Sequence, residues 1–168
     1  ALLQFKEDYA VALEQARSVV WDKEDHVWEM LRYARNEDFS AAPATYYELN
    51  LEYRGWFQDA ADSGVNLGVI RGLKEAWGSR PNPKTGAMQP YATGKMEARG
   101  MKEIPELVQI YLDHRWDDGQ RAFITKVHEK CRIGNASEML GTEHTNLDFE
   151  TLAFMLYPET IDTPDVWL

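Results

Sequence analysis

Thr45–Trp77, TYYELNLEYRGWFQDAADSGVNLGVIRGLKEAW, is the stretch on which the reading of the fold turns. After Pro43, Thr45-Tyr-Tyr-Glu48 has the S/T-x-x-E form of a helix capping box. Tyr46, Leu49, Tyr53, Trp56, Phe57 and Ala60 then recur along one face of a 3.6-residue period. Asp62-Ser63-Gly64 breaks that run. Val65, Val69, Leu73 and Trp77 follow four apart, and Gly78 stands where a helix would end. This spacing predicts two helices folded back on each other. A second ridge, Gly64, Gly68, Gly72 and Ala76, holds only small residues. Interior glycines cost a lone helix about 1 kcal/mol each, so a closely packed partner is expected along it.

Outward from this pair, Leu2 to Arg35 reads as another helical hairpin. Leu2, Tyr9, Ala12, Leu13, Ala16 and Val20 give an amphipathic first helix. Asp22 can cap the second, with Val27, Trp28, Leu31 and Ala34 inward. Asn36 to Pro43 is the connecting loop. Pro105 opens a third pair at a position proline favours, continuing through Leu107, Val108, Tyr111 and Leu112. Asp117 or Asp118 begins its second helix, with Phe123, Ile124, Val127 and Cys131 inward and Gly134 closing it. A turn over Asn135–Leu140, a short helix from Thr145 through Leu156, and an extended tail over 158–168 complete the chain. Between the second and third pairs, residues 78–103 contain four Gly and three Pro with little periodicity. Structureless connections of that length are uncommon and often functional. The expected fold class is therefore all-α: three antiparallel helical hairpins in series plus a short C-terminal helix. They form one domain over residues 1–168 with one long basic loop.

The net charge of −10 and pI of about 4.8 count against a nucleic-acid binder, because phosphates are held by Lys and Arg. Charge is unevenly spread. Arg71, Lys74, Arg80, Lys84, Lys95, Arg99 and Lys102 face only Glu75 and Glu97 in the middle, while residues 134–168 carry no Lys or Arg. Each region could neutralise the other or meet a partner. A single cysteine, Cys131, excludes a disulfide framework and a thiol-based metal site. No apolar run is long enough to span a membrane. A chain starting at Ala1 with no signal peptide suits either a processed protein or a trimmed one.

Ala44-Thr-Tyr-Tyr-Glu-Leu49, preceded by Trp28-Glu-Met-Leu-Arg32 and a loop into Pro43, resembles the join between two pentatricopeptide repeats. Asp118-Gly-Gln-Arg-Ala122 and Val127-His-Glu-Lys130 resemble the second half of a third. Tetratricopeptide-like helical pairs share that layout. The resemblance implies an all-α scaffold over about Leu2 to Arg132. Glu48 stands where RNA-reading members carry Asn, Ser or Thr, and a carboxylate repels phosphate and lacks the amide pairing to a base. The resemblance therefore implies the scaffold without RNA binding. It also implies a mitochondrial, matrix-side address, and a role like that of small pentatricopeptide-type subunits in mitochondrial ATP synthases.

No motif declares a reaction. Glu-x-x-His pairs for a di-iron bundle, H-E-x-x-H, the Walker loop, G-x-S-x-G and G-x-G-x-x-G are all missing. Asp22 with His26, one helical turn apart, could bind a metal or share a proton, but a helix cap and a solvated histidine explain them better. Glu143-His144 between Thr142 and Thr145 could contribute ligands or an acid/base pair, but capping or a solvated loop ahead of a helix explains them better. Asn135-Ala-Ser137 is a glycosylation sequon by letter only. Trp167, nearly terminal after Pro164 and Asp165, either docks on its own domain or anchors in a neighbour. No catalytic residue, cofactor or metal is expected. The sequence points to a non-catalytic accessory subunit of a larger assembly, such as ATP synthase or a respiratory complex. Its partner-binding residues would be Arg80, Lys84, Lys95, Arg99, Lys102, Gly64, Gly68, Gly72 and Trp167, with protein partners and no nucleic acid. A small organellar RNA-binding repeat protein and an all-α enzyme are the alternatives.

Overall fold

Strands among the described residues decide the architecture, and they overturn the all-α reading. The computed structural model describes residues 1–35, 43–128, 132, 138–160 and 162, with only the backbone of 43–45. Among them, seven strands in three small sheets accompany five α-helices. The backbone divides into two compact units, Ala1–Lys102 and Glu103–Leu168.

In the first unit, helix α1 (Leu2–Gln15) leads to strand β1 (Ser18–Trp21), then helices α2 (Glu24–Arg35) and α3 (Pro43–Asp62), and strand β2 (Asn66–Val69). β1 and β2 pair in parallel, from Ser18 against Asn66 to Trp21 against Val69. Strands bury alternate residues. Val19, Trp21, Leu67 and Val69 face the helices, while Ser18, Val20, Asn66 and Gly68 are exposed on the other side. Trp21 is the centre of the core. Its indole meets Phe5 and Tyr9 of α1 and Tyr53, Trp56 and Phe57 of α3, with centroids 5.1–6.3 Å apart. Most of these contacts are edge-on or tilted, the arrangement ring quadrupoles favour. α2 adds Val27, Trp28 and the fully buried Leu31. The Tyr9 hydroxyl donates to the Trp56 carbonyl at 2.7 Å. Burial pushes that phenol up to about 12, with the negative charge of Asp59 adding to it.

Strands β3 (Leu73–Pro81) and β4 (Met88–Ala98) then form an antiparallel hairpin with a bulge between Glu75 and Trp77. No residue of either strand is buried. The second unit holds the one-turn helix α4 (Ile104–Leu107), strands β5 (Leu112–Asp117), β6 (Ala122–Val127) and β7 (Glu143–Thr145), and helix α5 (Phe149–Leu156). The strands form an antiparallel sheet in that order. Val127, Met139, Leu152 and Leu156 make its core. Asp148 caps α5 by accepting from the Thr151 amide at 2.7 Å.

Several expectations fall with the helical-repeat layout. The helix over 65–77 is β2 and the start of β3, so Gly64, Gly68, Gly72 and Ala76 form no helical ridge. The basic loop over 78–103 is largely a β-hairpin. The third helical pair is instead α4 followed by the β5–β6 hairpin, turning at Asp118-Gly119. α1 stops at Gln15, and Val20 belongs to β1. α3 begins at Pro43, ahead of the Thr45 cap. The physical cause is shared: a four-residue spacing such as Val65–Val69 is also a multiple of two, and fits a strand face as well as a helix face. With the all-α scaffold gone, the pentatricopeptide resemblance loses its structural basis, and the mitochondrial address that rested on it has no support.

Candidate functional site

The carboxyl ends of β1 and β2 carry a charged network drawn from four parts of the first unit. After β1 the chain runs Asp22-Lys23-Glu24-Asp25, and Lys23 turns the corner with φ 60°. That left-handed value is unfavourable for a side-chain-bearing residue. Asp22 and Lys23 are exposed, whereas Glu24 at the start of α2 is fully buried. The Tyr53 hydroxyl donates to Glu24 Oε1. Arg71, just after β2, places Nε 3.0 Å from Glu24 Oε2. The Arg71 N–H groups are aimed elsewhere: Nε donates to the Arg99 carbonyl at 2.9 Å and Nη2 to the Met101 carbonyl at 2.7 Å. Oε2 therefore gains a neighbouring charge without an aligned hydrogen bond. Burial raises the Glu24 carboxyl above the ordinary range, with Tyr53 and Arg71 pulling the other way. Burial beside that carboxylate also pushes the Tyr53 phenol far up.

Gly100 completes the enclosure. Its φ is +81°, and a Cβ there would lie 3.0 Å from the Glu24 carboxyl carbon. Arg99 reaches Asp25 at 3.9 Å, and its amide donates to the Gly72 carbonyl at 2.8 Å. The network thus ties the chain leaving β4 to the carboxyl ends of both parallel strands. Sequence periodicity could not find it, because residues 24, 53, 71 and 99–101 meet only through tertiary structure. The one local signal, the acidic run at Asp22–Asp25, reads equally well as a helix start.

The residues expected at partner surfaces separate. Arg80, Lys84 and Lys95 lie on the β3–β4 hairpin, whereas Arg99 and Lys102 lie beyond its base. The Arg80 guanidinium sits 4.9 Å from the Tyr91 ring centroid. Gly68 lies on the exposed face of β2 beside Val20, Gly64 in the turn before β2, and Gly72 against Arg99. Trp167, Cys131 and the Asn135–Ser137 sequon lie outside the described residues. His26 is exposed. Glu143 pairs with Arg115 at 3.0 Å, and His144 bonds the Thr142 hydroxyl at 2.7 Å. Among the described residues, no three His, Cys, Asp or Glu side chains cluster to hold a metal, and no helix is long and apolar enough to cross a membrane.

These features define a mixed α/β protein in which, among the described residues, the parallel sheet has two strands and one covered face. No family model, curated protein or solved structure matches the chain.

Proposed function

We propose that this chain is a component of a larger protein assembly, in which polypeptide from outside these 168 residues completes the β1–β2 sheet. The carrying observation is the half-covered parallel pair. Parallel sheets ordinarily have both faces covered, and two strands alone are marginal. Here three helices cover one face, while Val20 on the other is 62% exposed and no further strand pairs with β1 or β2 among the described residues. Structural contribution to the assembly, with no chemistry of its own, is the reading that needs least from the residues.

A photo-crosslinking residue at Val20 tests it in the native host. Capture of one defined polypeptide from position 20, and none from the exposed Leu3 on α1, is expected. No adduct at position 20, or equal adducts at both, would overturn the proposal.

One observation favours a second reading, that the completed sheet binds a ligand. Open parallel sheets take ligands at the carboxyl ends of their strands. Asp22 is exposed at that end, beside Lys23 in a strained conformation of the kind that clusters at functional corners. A lone carboxylate there suits a Mg²⁺ carrying a phosphorylated ligand, which the metal holds with few protein groups. Asp22→Asn in the crosslinked assembly should then abolish Mg²⁺-dependent nucleotide binding and leave the Val20 crosslink intact. Unchanged binding would reject this second reading alone.

A further inference from the structure

The β3–β4 hairpin is unusual in charge and in covering. Residues 76–96 contain Arg80, Lys84 and Lys95 and no Asp or Glu, so the rest of a chain with net charge −10 carries −13. The two faces of the ribbon differ. On one, the cross-strand pairs Gly78–Tyr91 and Arg80–Gln89 cover themselves. The Tyr91 ring lies over Gly78 so closely that a Cβ would come within 2.8 Å of it, and Arg80 stacks against the same ring. On the other, Trp77–Ala92, Ser79–Pro90 and Pro81–Met88 are all exposed, with Trp77 at 66%.

We propose that this hairpin is an arm that binds single-stranded nucleic acid, stacking bases on Trp77 while Lys84 and Lys95 meet phosphates; Arg80, held against Tyr91 on the other face, adds only to the positive field. Three observations select that occupant. Beyond Glu75 and Glu97 at its base, the arm is a positive segment without acidic residues in an otherwise acidic chain, which matches a polyanion. Its open face presents an indole and prolines, which stack on a base without regard to sequence. Beyond Glu75 at its base, that face holds Ser79 as its sole polar side chain, too little to read the edges of paired bases, so a duplex groove is a poorer match. The inference reverses the expectation drawn from total charge. A net charge describes the whole chain, whereas a strand contacts one element. It does not depend on what completes the parallel sheet.

Fluorescence anisotropy of a labelled oligothymidylate with the full chain tests it. Saturable binding is expected at about 50 mM salt, falling toward about 200 mM with a logarithmic slope near −1.4, from about −0.7 for each of two phosphates. The double variant Lys84→Gln, Lys95→Gln should weaken binding roughly fivefold or more and flatten that slope. Trp77→Ala should weaken it about five- to hundredfold with the slope unchanged. All three positions are exposed, so circular dichroism should show every variant folded. Three results would each overturn the proposal: no saturable binding at the lower salt, wild-type affinity in Trp77→Ala, or labelled polyglutamate binding as tightly as the oligonucleotide. The last would make the arm a site for acidic protein.

Discussion

Replacing Gly100 by alanine should test the buried network more sharply than removing any of its charges. Two separate penalties arise at this position. The backbone φ of +81° lies in the left-handed region, where an alanine costs about 1–2 kcal/mol. The added Cβ would also lie 3.0 Å from Glu24 Cδ, against a carboxylate fixed between Tyr53 and Arg71. Forcing a methyl into such a packed site typically costs about 1–3 kcal/mol. The sum is about 2–5 kcal/mol, a large share of a marginal fold's stability. With a urea slope of about 2 kcal/mol per molar, the midpoint should fall by about 1–2.5 M. Intrinsic tryptophan fluorescence follows the transition, because Trp21 lies in the core of the same unit. A double-mutant cycle with Glu24→Ala separates the two penalties. Removing the carboxylate should lower the cost of Gly100→Ala by about 1–3 kcal/mol and leave the backbone part. An equal cost in both backgrounds would refute the claim that Glu24 is pinned against residue 100. A cost below about 0.5 kcal/mol would refute the left-handed backbone as well.

Tyr53→Phe should destabilise by about 1.5–3 kcal/mol, the range for a hydrogen bond to a charged group, in the same urea titration. Because Glu24 then loses a partner for its ionised form, the deficit should grow as pH rises above the ordinary carboxylate range; a pH-independent deficit contradicts the network. Glu52 behaves in the opposite sense. Partial burial raises its carboxyl, but Lys6 and Arg35 outweigh that and hold it below the usual range. Its contribution, under about 1 kcal/mol for so open a cluster, is present above about pH 4.3 and lost as pH falls through the lowered value. Thermal melts of Glu52→Gln and wild type should accordingly converge in acid. Leu31→Ala removes a fully buried side chain and should cost about 2–5 kcal/mol by chemical denaturation, with less than 1 kcal/mol indicating a loosely packed α2.

The helices facing the first core were legible, because Tyr53, Trp56, Phe57 and Ala60 on α3 and Val27, Trp28 and Leu31 on α2 keep a true 3.6-residue rhythm. The strands were not. Val65, Leu67 and Val69 alternate with Asn66 and Gly68, and four-residue sampling of that alternation imitates a helix. Asp118-Gly119 between two β-rich runs is a strong hairpin signal. It reads equally well as a helix start, since aspartate serves both purposes. At the site, Arg80, Lys84 and Lys95 stood out through composition, but their ribbon did not, as Pro83 and Gly86 mark a turn as readily as a loop. The Glu24 network is beyond any local reading.

The half-built sheet has a colloidal consequence. Strand edges without neighbours can pair with any other extended chain, including another copy of this one. The strongly acidic body opposes such encounters by mutual repulsion between copies. Salt weakens that protection, since the screening length shrinks to about 3 Å near 1 M. Concentrated preparations should therefore stay dispersed at low ionic strength and cloud on addition of sodium chloride. Nucleic-acid binding assays on the arm would weaken over that same change in salt, so light scattering belongs beside every titration to keep the two losses apart.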